Sequence, residues 1–189
     1  MARTRTPPAA EPREDRRDVL LAGAGLALAA AAVPASAQNT AAGAATVPHV
    51  PPRTEFVYEA VVDIAPTVPL GDSPLGERRI VPITGGTFEG PDIRGKVLPG
   101  GADRQLIRKD GVRRLDALYE MQAEDGAIIT VRNQVLIAPG GGADYRFSTL
   151  DITAPEGPHA WLNRLVFVGT LHSLRPAREA VLVRVFKLV

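Results

Sequence analysis

From Glu55 onward, hydrophobic and polar residues alternate in short runs that are bounded by Gly, Pro or Asp. Alternation with a period of two places the apolar side chains on one face of a β-strand. No stretch after residue 38 keeps the apolar spacing of an amphipathic helix over three turns. The pattern therefore predicts an all-β fold. The predicted strands are EFVYEAVVDI, RRIVPI, GKVLP, RQLIR, VRRLDALYEMQA, AIITVRNQVLIA, YRFSTLDIT, LVFVGTLH and AVLVRVFKLV.

One hairpin can be predicted in register. The arms 112–123 and 127–138 flank Glu124-Asp125-Gly126, and a three-residue loop with Gly in the left-handed position is a common hairpin connection. This loop pairs Leu115 with Val135 and Tyr119 with Val131, so the apolar residues and Asn133 share one face. A two-residue loop would mix apolar and polar residues on both faces. The predicted polar face consists of Arg114, Asp116, Glu120, Gln122, Thr130, Arg132 and Gln134.

Eight or nine short strands between residues 54 and 189 leave two sheet edges to protect, and no helix is predicted to cover them. A closed antiparallel β-barrel removes the edges altogether, and a β-sandwich is the alternative. Glycine pairs such as Gly85-Gly86 and Gly100-Gly101 suit the bends of barrel strands. We therefore expect a single small β-barrel domain.

Residues 1–37 have the three parts of a cleavable export signal. Arg16-Arg17 precede the apolar run 19–33, which is too short for a membrane span, and Ala35-Ser36-Ala37 provides a cleavage site. The arginine pair resembles the twin-arginine signal, although Asp15 and Val19 depart from its core pattern. The sequence predicts a periplasmic or secreted protein that keeps no stable membrane anchor after cleavage. Residues 38–53 are small, rich in Pro and without periodicity, and are predicted to be a flexible linker.

Charge and cysteine content exclude several classes of function. Five of the 22 basic residues and four of the 21 acidic residues lie in the signal, so seventeen of each remain. A neutral domain has no electrostatic footprint for nucleic acid or an anionic membrane. The chain has no cysteine, which excludes disulfides, thiolate nucleophiles and thiolate metal ligands.

The stretch Gly90–Val97 (GPDIRGKV) is similar to a phosphate-binding loop but lacks its hydroxyl residue. A phosphate loop must open a helix and place Ser or Thr on the magnesium ion. Here Lys96 is followed by Val97, and Pro99 prevents a helix from continuing. We expect a strand and a turn at this position, with Lys96 pointing outward.

Several segments resemble one family closely. ITGGTFEGP, LPGGAD, RRLDALYE, DGAIITVRNQ and HAWLNRLVFVGT occur in order. With them the chain resembles the bacterial and fungal family called domain of unknown function 3237 over about residues 55–189. The resemblance implies a small β-barrel and no settled reaction. Arg104 stands where the family commonly has an aromatic residue, and the loop after Ile137 is short, so ligand identity does not transfer.

The candidate site residues follow from the hairpin and the family segments. Asn133 and Tyr119 lie on the apolar face, either as core residues with satisfied polar tips or as ligand-orienting and acid–base groups. Asp116 is a catalytic candidate only if the polar face turns inward, which would gather Asp116, Glu120 and Arg132 into a cluster; otherwise it forms a surface ion pair. Asp103 caps a turn or binds ligand.

Trp161 and Asn163 form either a plug at one barrel end or a stacking platform at a pocket mouth. The three histidines show no ligand spacing, so no metal site and no cofactor are predicted. No serine stands in a nucleophile motif. Two functions remain: an exported barrel that binds a small, partly apolar molecule, which is favoured, and a cofactor-free isomerase, cyclase or hydratase acting on a carbonyl or phenolic compound. Whether the protein forms a homo-oligomer is left open.

Overall fold

The computed structural model describes residues 48–140 and 145–189, so the predicted export signal and most of the predicted linker lie outside the described residues. Ten β-strands and one short 3₁₀ helix, Ala160–Arg164, make up the described chain. The strands are β1 (Thr54–Ile64), β2 (Val68–Ser73), β3 (Gly76–Glu89), β4 (Arg94–Val97), β5 (Ala102–Ile107), β6 (Arg113–Ala123), β7 (Ile128–Ala138), β8 (Tyr145–Thr153), β9 (Phe167–Ser173) and β10 (Ala180–Leu188).

The strands close into an antiparallel barrel, as the alternating pattern predicts. Neighbouring strands run β1-β10-β9-β8-β7-β6, and β3 closes the ring by pairing with β1. Strands β4 and β5 lie end to end between β3 and β6. Strand β2 pairs with the first half of β3, and β1 pairs with the second half. The result is a closed barrel of eight strands with two extra strands, and the sandwich alternative is wrong.

The predicted hairpin register is confirmed between β6 and β7. Leu115 pairs with Val135, Ala117 with Asn133 and Tyr119 with Val131. The Ala123 N–H donates to the Ala127 carbonyl and the Gly126 N–H donates to the Ala123 carbonyl, which closes the three-residue loop. Gly126 has a φ of 90°. The apolar face of the hairpin therefore points into the barrel, because burying it removes the largest apolar area from water.

Strand β2 was not predicted. Its sequence VPLGDS contains Pro and Gly, which are typical of turns rather than of strands. The strand is short, lies largely exposed on β3 and changes register between Pro69 and Gly71. A peripheral strand of this kind tolerates proline and buries little apolar surface, so it leaves no alternating pattern in the sequence.

The stretch that is similar to a phosphate loop forms a turn and then β4. The Gly90 N–H donates to the Ile93 carbonyl, and Lys96 is exposed on β4. No helix follows it before Pro99. The prediction of a strand and a turn at this position is confirmed.

We call the end of the barrel where β6 begins the upper end, and the end with the turn Glu124–Gly126 the lower end. The 3₁₀ helix packs at the lower end, where Leu162 is buried in the core. Bulky side chains fill this half of the interior: Tyr58, Phe88, Met121, Ile129 and Phe167. Within residues 48–140 and 145–189, no helix is both long and apolar enough to cross a membrane.

Candidate functional site

The upper half of the barrel interior holds a cavity of about 200 Å³. Successive inward residues of each strand line it: Leu115 and Ala117 on β6, for example, face Val135 and Asn133 on β7. Most of the wall is apolar. A known apolar cavity of about 150 Å³ holds one benzene molecule, so this cavity has room for a single ring with a short substituent. The main apolar side chains of the wall are Val62, Val81, Ile83, Leu115, Val135 and Val183.

Two polar side chains lie at the base of the cavity. Tyr119 and Asn133 are the lowest lining residues on β6 and β7, and their exposed fractions are 1% and 2%. Neither the Tyr119 hydroxyl nor Asn133 Oδ1 has a hydrogen-bond partner among the described residues. Burial raises the pKa of the Tyr119 phenol. A protonated hydroxyl and an amide oxygen therefore offer a donor and an acceptor to a molecule in the cavity.

Asp103 brings a carboxyl group to the cavity wall from β5. Its Oδ1 accepts a hydrogen bond from the Asp116 backbone N–H at 3.0 Å, and its Oδ2 accepts one from Gln105 Nε2 at 2.7 Å. Burial raises the pKa of Asp103, and these two hydrogen bonds oppose the rise in part. The carboxyl is therefore fixed in orientation and keeps its proton to a higher pH than a solvated aspartate does.

The family segment LPGGAD sets the position of Asp103. Gly101 lies directly against Tyr119, and a Cβ at Gly101 would stand 2.5 Å from the Tyr119 Cβ. The Ile83 N–H also donates to the Gly101 carbonyl at 2.9 Å. A residue with a side chain at position 101 would push β5 away from β6, so the glycine keeps Asp103 and Tyr119 on the same cavity.

Four arginines that are not among the predicted site residues line the upper part of the cavity. Arg79 comes from β3, Arg113 from β6, Arg146 from β8, and Arg175 follows β9. The alternation along the strands could have predicted three of them to face inward. Each lies an even number of residues from inward-facing residues of its own strand: Arg79, Arg113 and Arg146. Charged residues can occupy such inward positions at the end of a barrel, because the open end is in contact with water.

Asp116 and Arg132 lie on the outer face of the barrel. Arg132 Nε donates to Asp116 Oδ1 at 2.8 Å and its Nη2 donates to Oδ2 at 2.7 Å. The hydrogen bond from Arg132 lowers the pKa of Asp116. The hypothesis that Asp116, Glu120 and Arg132 line the interior is wrong, because the opposite face of the hairpin carries the large apolar residues and packs into the core.

Trp161 and Asn163 lie at the lower end, away from the cavity. Asn163 Oδ1 accepts from the Ala154 N–H at 2.9 Å, and its Nδ2 donates to the Ala154 carbonyl at 2.9 Å. Trp161 is half-buried and packs against the core. Of the candidate residues, Asp103, Tyr119 and Asn133 share the cavity. The others do not line it: Asp116, Glu120, Arg132, Trp161 and Asn163. No group of three or more metal-ligating side chains occurs in the part of the chain that the structure describes.

Residues 52–188 match the family described as "Protein of unknown function (DUF3237)". The chain is 41% identical over 81 residues to a UPF0311 protein of Rhodopseudomonas palustris, a match that covers 43% of this chain and 53% of that protein. It is 32% identical over 153 residues to a UPF0311 protein of Clostridium acetobutylicum, covering 71% and 95%. The chain thus spans about half the length of the first of these relatives and nearly all of the second.

A more distant relative is named for an enzymatic activity. The hydroalkoxylation enzyme phnH of Penicillium herquei is 29% identical over 120 residues, which cover 64% of this chain and 74% of that protein. Among solved structures, a beta-barrel like protein of Acinetobacter baumannii superposes with a TM-score of 0.69 at 29% identity, covering 75% of this chain and 99% of that chain. The likeness therefore extends over the whole barrel.

Proposed function

The chain belongs to the DUF3237 family, whose description states no function, and we propose that it is a cofactor-free acid–base enzyme acting on a small, partly apolar molecule in the barrel cavity. The observation that carries the proposal is the position of Asp103. Binding alone needs no titratable group in the cavity, whereas acid–base turnover needs a proton donor or acceptor within reach of the reacting atoms, and a carboxyl group can serve as either. The carboxyl group of Asp103 lines this cavity, and burial raises its pKa.

The environment of Asp103 suits proton transfer. A raised pKa moves the carboxyl group toward the pH at which it can both release and accept a proton. The Asp116 N–H and Gln105 Nε2 each donate to one carboxyl oxygen, which holds the group in one orientation. Both contacts come from the barrel wall, so a molecule in the cavity meets a preoriented acid.

Tyr119 and Asn133 would orient the reacting molecule. The Tyr119 hydroxyl can donate to a carbonyl or phenol oxygen, and Asn133 Oδ1 can accept from a hydroxyl. Each of these buried atoms has no partner in residues 48–140 and 145–189. A buried polar atom without a partner costs about 1–3 kcal/mol, and a bound hydroxyl compound would remove that cost.

The name of the distant fungal relative suggests a reaction of suitable type. In a hydroalkoxylation an O–H group adds across a C=C bond, so one C–O bond and one C–H bond form, and neither oxidant nor reductant is needed. In an intramolecular case, protonated Asp103 would give its proton to one alkene carbon while the phenol oxygen bonds to the next carbon. The phenol proton would then return to Asp103, and the product is an isomer of the substrate.

The test uses 2-allylphenol and a small set of other alkenyl phenols as probes. Conversion to the isomeric cyclic ether is measured by gas chromatography with mass detection, and the reaction in D₂O should place one deuterium on the new C–H bond. Asp103→Asn should lower the rate by about a hundredfold or more, the usual contribution of a positioned acid or base. An unchanged rate in Asp103→Asn would refute the assignment.

The matched control is Asp116→Asn, which removes the neighbouring carboxyl group on the outer face. This variant should keep its activity, because the Asp116 side chain contacts Arg132 and does not line the cavity. If Asp116→Asn lost activity and Asp103→Asn kept it, the catalytic role would belong to Asp116. Binding of the phenols without conversion of any of them would favour a binding module, the alternative that the unpartnered Tyr119 and Asn133 atoms support equally well.

A further inference from the structure

Three cavity-lining residues on neighbouring strands lie in one row. Asp103 on β5 pairs with Ala117 on β6, and Ala117 pairs with Asn133 on β7. Residues that pair directly across antiparallel strands point to the same face of the sheet, and all three line the cavity. Two strand spacings separate the Cα atoms of Asp103 and Asn133 by about 10 Å. The carboxyl group and the amide therefore lie at one height in the barrel, on either side of Ala117.

Ala117 has a small side chain among larger ones. It is the one alanine among the described residues that line the cavity, and the next inward residues along β6 are Leu115 above it and Tyr119 below it. Leu115 and Tyr119 are buried, whereas Ala117 is half-buried. A methyl group bordered by larger side chains along its strand and across it leaves a recess in the cavity wall. We call this recess the Ala117 notch.

The Ala117 notch lies between the polar groups that the proposed function uses. A flat ring in the notch would have one edge toward the Asp103 carboxyl group and the opposite edge toward Asn133. Tyr119 closes the notch from below, and the whole cavity of about 200 Å³ has room for one ring with a short substituent. The size of residue 117 therefore decides how close to the wall a ring can lie.

We propose that Ala117 is the specificity-determining residue of the cavity, and that the substrates are single-ring phenols whose ring occupies the Ala117 notch between Asp103 and Asn133. The proposal rests on the proposed function for its choice of cavity. A larger residue at position 117 would exclude the ring, because two groups cannot occupy the same space in a close-packed interior. Glycine at position 117 would deepen the notch and admit a phenol with two fused rings.

The first experiment tests the notch without any ligand. Ala117→Val adds two methyl groups that enter the notch, so the melting temperature should change by less than about 3 °C. The matched control is Ala60→Val on β1, where the alanine is fully buried in the packed core. Overpacking should lower that melting temperature by about 3 °C or more. An equal fall in the two variants would mean that residue 117 is packed as Ala60 is, and would overturn the proposal.

The second experiment measures binding. 2-Allylphenol and the two-ring compound 2-allyl-1-naphthol are titrated into the full protein by isothermal calorimetry, and the unmodified protein should prefer 2-allylphenol. We expect Ala117→Val to lower the affinity for 2-allylphenol by about tenfold or more, because the valine and the ring compete for the notch. Ala117→Gly should shift the preference toward the two-ring compound by about tenfold.

The matched control for binding is Ala102→Val on β5. Ala102 is the chain neighbour of Asp103 and pairs with the exposed Leu118, so its side chain lies on the outer face of the barrel. This variant adds the same two methyl groups outside the cavity. It should bind both phenols as the unmodified protein does.

Three binding results would overturn the proposal: an unchanged affinity for 2-allylphenol in Ala117→Val, an unchanged preference in Ala117→Gly, or no binding of either phenol to any of these proteins. Failure of the proposed function is distinguishable from these results. Affinities that follow the size of residue 117, without conversion of any alkenyl phenol, would retain the role of Ala117 and remove only the catalysis. Conversion that depends on Asp103 and not on residue 117 would do the reverse.

Discussion

At the scale of single residues, Asn133 is the buried side chain whose role is most easily tested. Asn133 lines the cavity and its Oδ1 has no partner among the described residues, so removing that oxygen strands no donor within this part of the chain. We expect Asn133→Ala to change the free energy of unfolding by less than about 1 kcal/mol, or to raise it, because a buried acceptor without a partner is removed. Urea unfolding of both proteins measures this difference.

The comparison for Asn133→Ala is Ile129→Ala, on the same strand and the same inward face. Ile129 is fully buried in the packed lower half, where its truncation leaves a new cavity. We expect that variant to lose about 2–5 kcal/mol. A loss of that size in Asn133→Ala as well would mean that the amide is part of the packed core rather than of a binding surface. Binding of 2-allylphenol should weaken by about 0.5–1.5 kcal/mol in Asn133→Ala if the amide contacts the ligand.

Asp103 and Asp116 should respond to pH with opposite signs, although they belong to paired neighbouring strands. Burial raises the pKa of Asp103 above its ordinary value of 3.8, so its contribution to stability is complete below that pH and is lost as the pH rises through the folded pKa. Arg132 lowers the pKa of Asp116, so the contribution of that carboxylate is present above 3.8 and is lost as the pH falls through the folded pKa.

The free energy of unfolding, measured with denaturant between pH 3 and pH 8, checks these two predictions. Relative to the unmodified protein, Asp103→Asn should become more stable as the pH rises, because asparagine resembles the protonated acid. Asp116→Asn should become less stable over the same range, and by a smaller amount, because the pair is exposed to solvent. Parallel trends in the two variants would contradict the burial of Asp103.

At the scale of elements, β3 is the strand that organises the barrel. Its first half pairs with β2 and β5, and its second half pairs with β1 and β4. Gly85 and Gly86 lie where the strand passes from one set of neighbours to the other. The register with β1 shifts at this place, since Gly85 pairs with Asp63 while Ile83 pairs with Ile64. The glycine pair therefore permits the bend that closes the barrel.

Gly86→Ala should damage this bend severely. Gly86 has a φ of +143°, and a Cβ there would lie 2.1 Å from the Val61 carbonyl oxygen, which is a backbone atom in the closing pair of strands. We expect a loss of about 3 kcal/mol or more, since backbone strain and a steric clash act together. Thermal or urea unfolding measures it.

The control for this prediction is Gly100→Ala. Gly100 also has a positive φ, +111°, but no atom lies within 4 Å of the position of its missing Cβ. Strain alone should cost about 1–3 kcal/mol there. If Gly86→Ala cost no more than Gly100→Ala, the close approach of β3 to β1 at this point would not hold in solution.

At the scale of the whole molecule, the export signal stays a prediction, because residues 1–37 lie outside the described structure. We propose that the protein leaves the cytoplasm by the twin-arginine route, on the basis of Arg16-Arg17 and Ala35-Ser36-Ala37. The exported protein should begin at Gln38 by N-terminal sequencing. Replacing both Arg16 and Arg17 by Lys should leave the precursor in the cytoplasm, whereas replacing Arg3 and Arg5 by Lys should not. Exported protein that begins at Met1 would exclude cleavage.

The sequence by itself determined the fold class, nearly all of the strands and the register of one hairpin. These features are local: strand alternation has a period of two, and the loop Glu124-Asp125-Gly126 allows only one pairing that keeps the apolar residues together. The face that carries Tyr119 and Asn133 could be identified for the same reason. The pairing of β1 with β3 agrees with the prediction of a closed barrel.

Only the tertiary structure decided which polar residues meet. The polar residues of the cavity come from strands and loops far apart in the chain: Asp103, Tyr119 and the four arginines. Alternation along a strand shows that a residue faces inward. It does not show which inward-facing residues of different strands lie at the same height in the barrel. That height depends on the stagger of the strands and on bends such as the one at Gly85-Gly86. The same packing placed Asp116 and Arg132 on the outer face of the barrel. The opposite face of the hairpin carries the larger apolar area and is therefore buried in the interior.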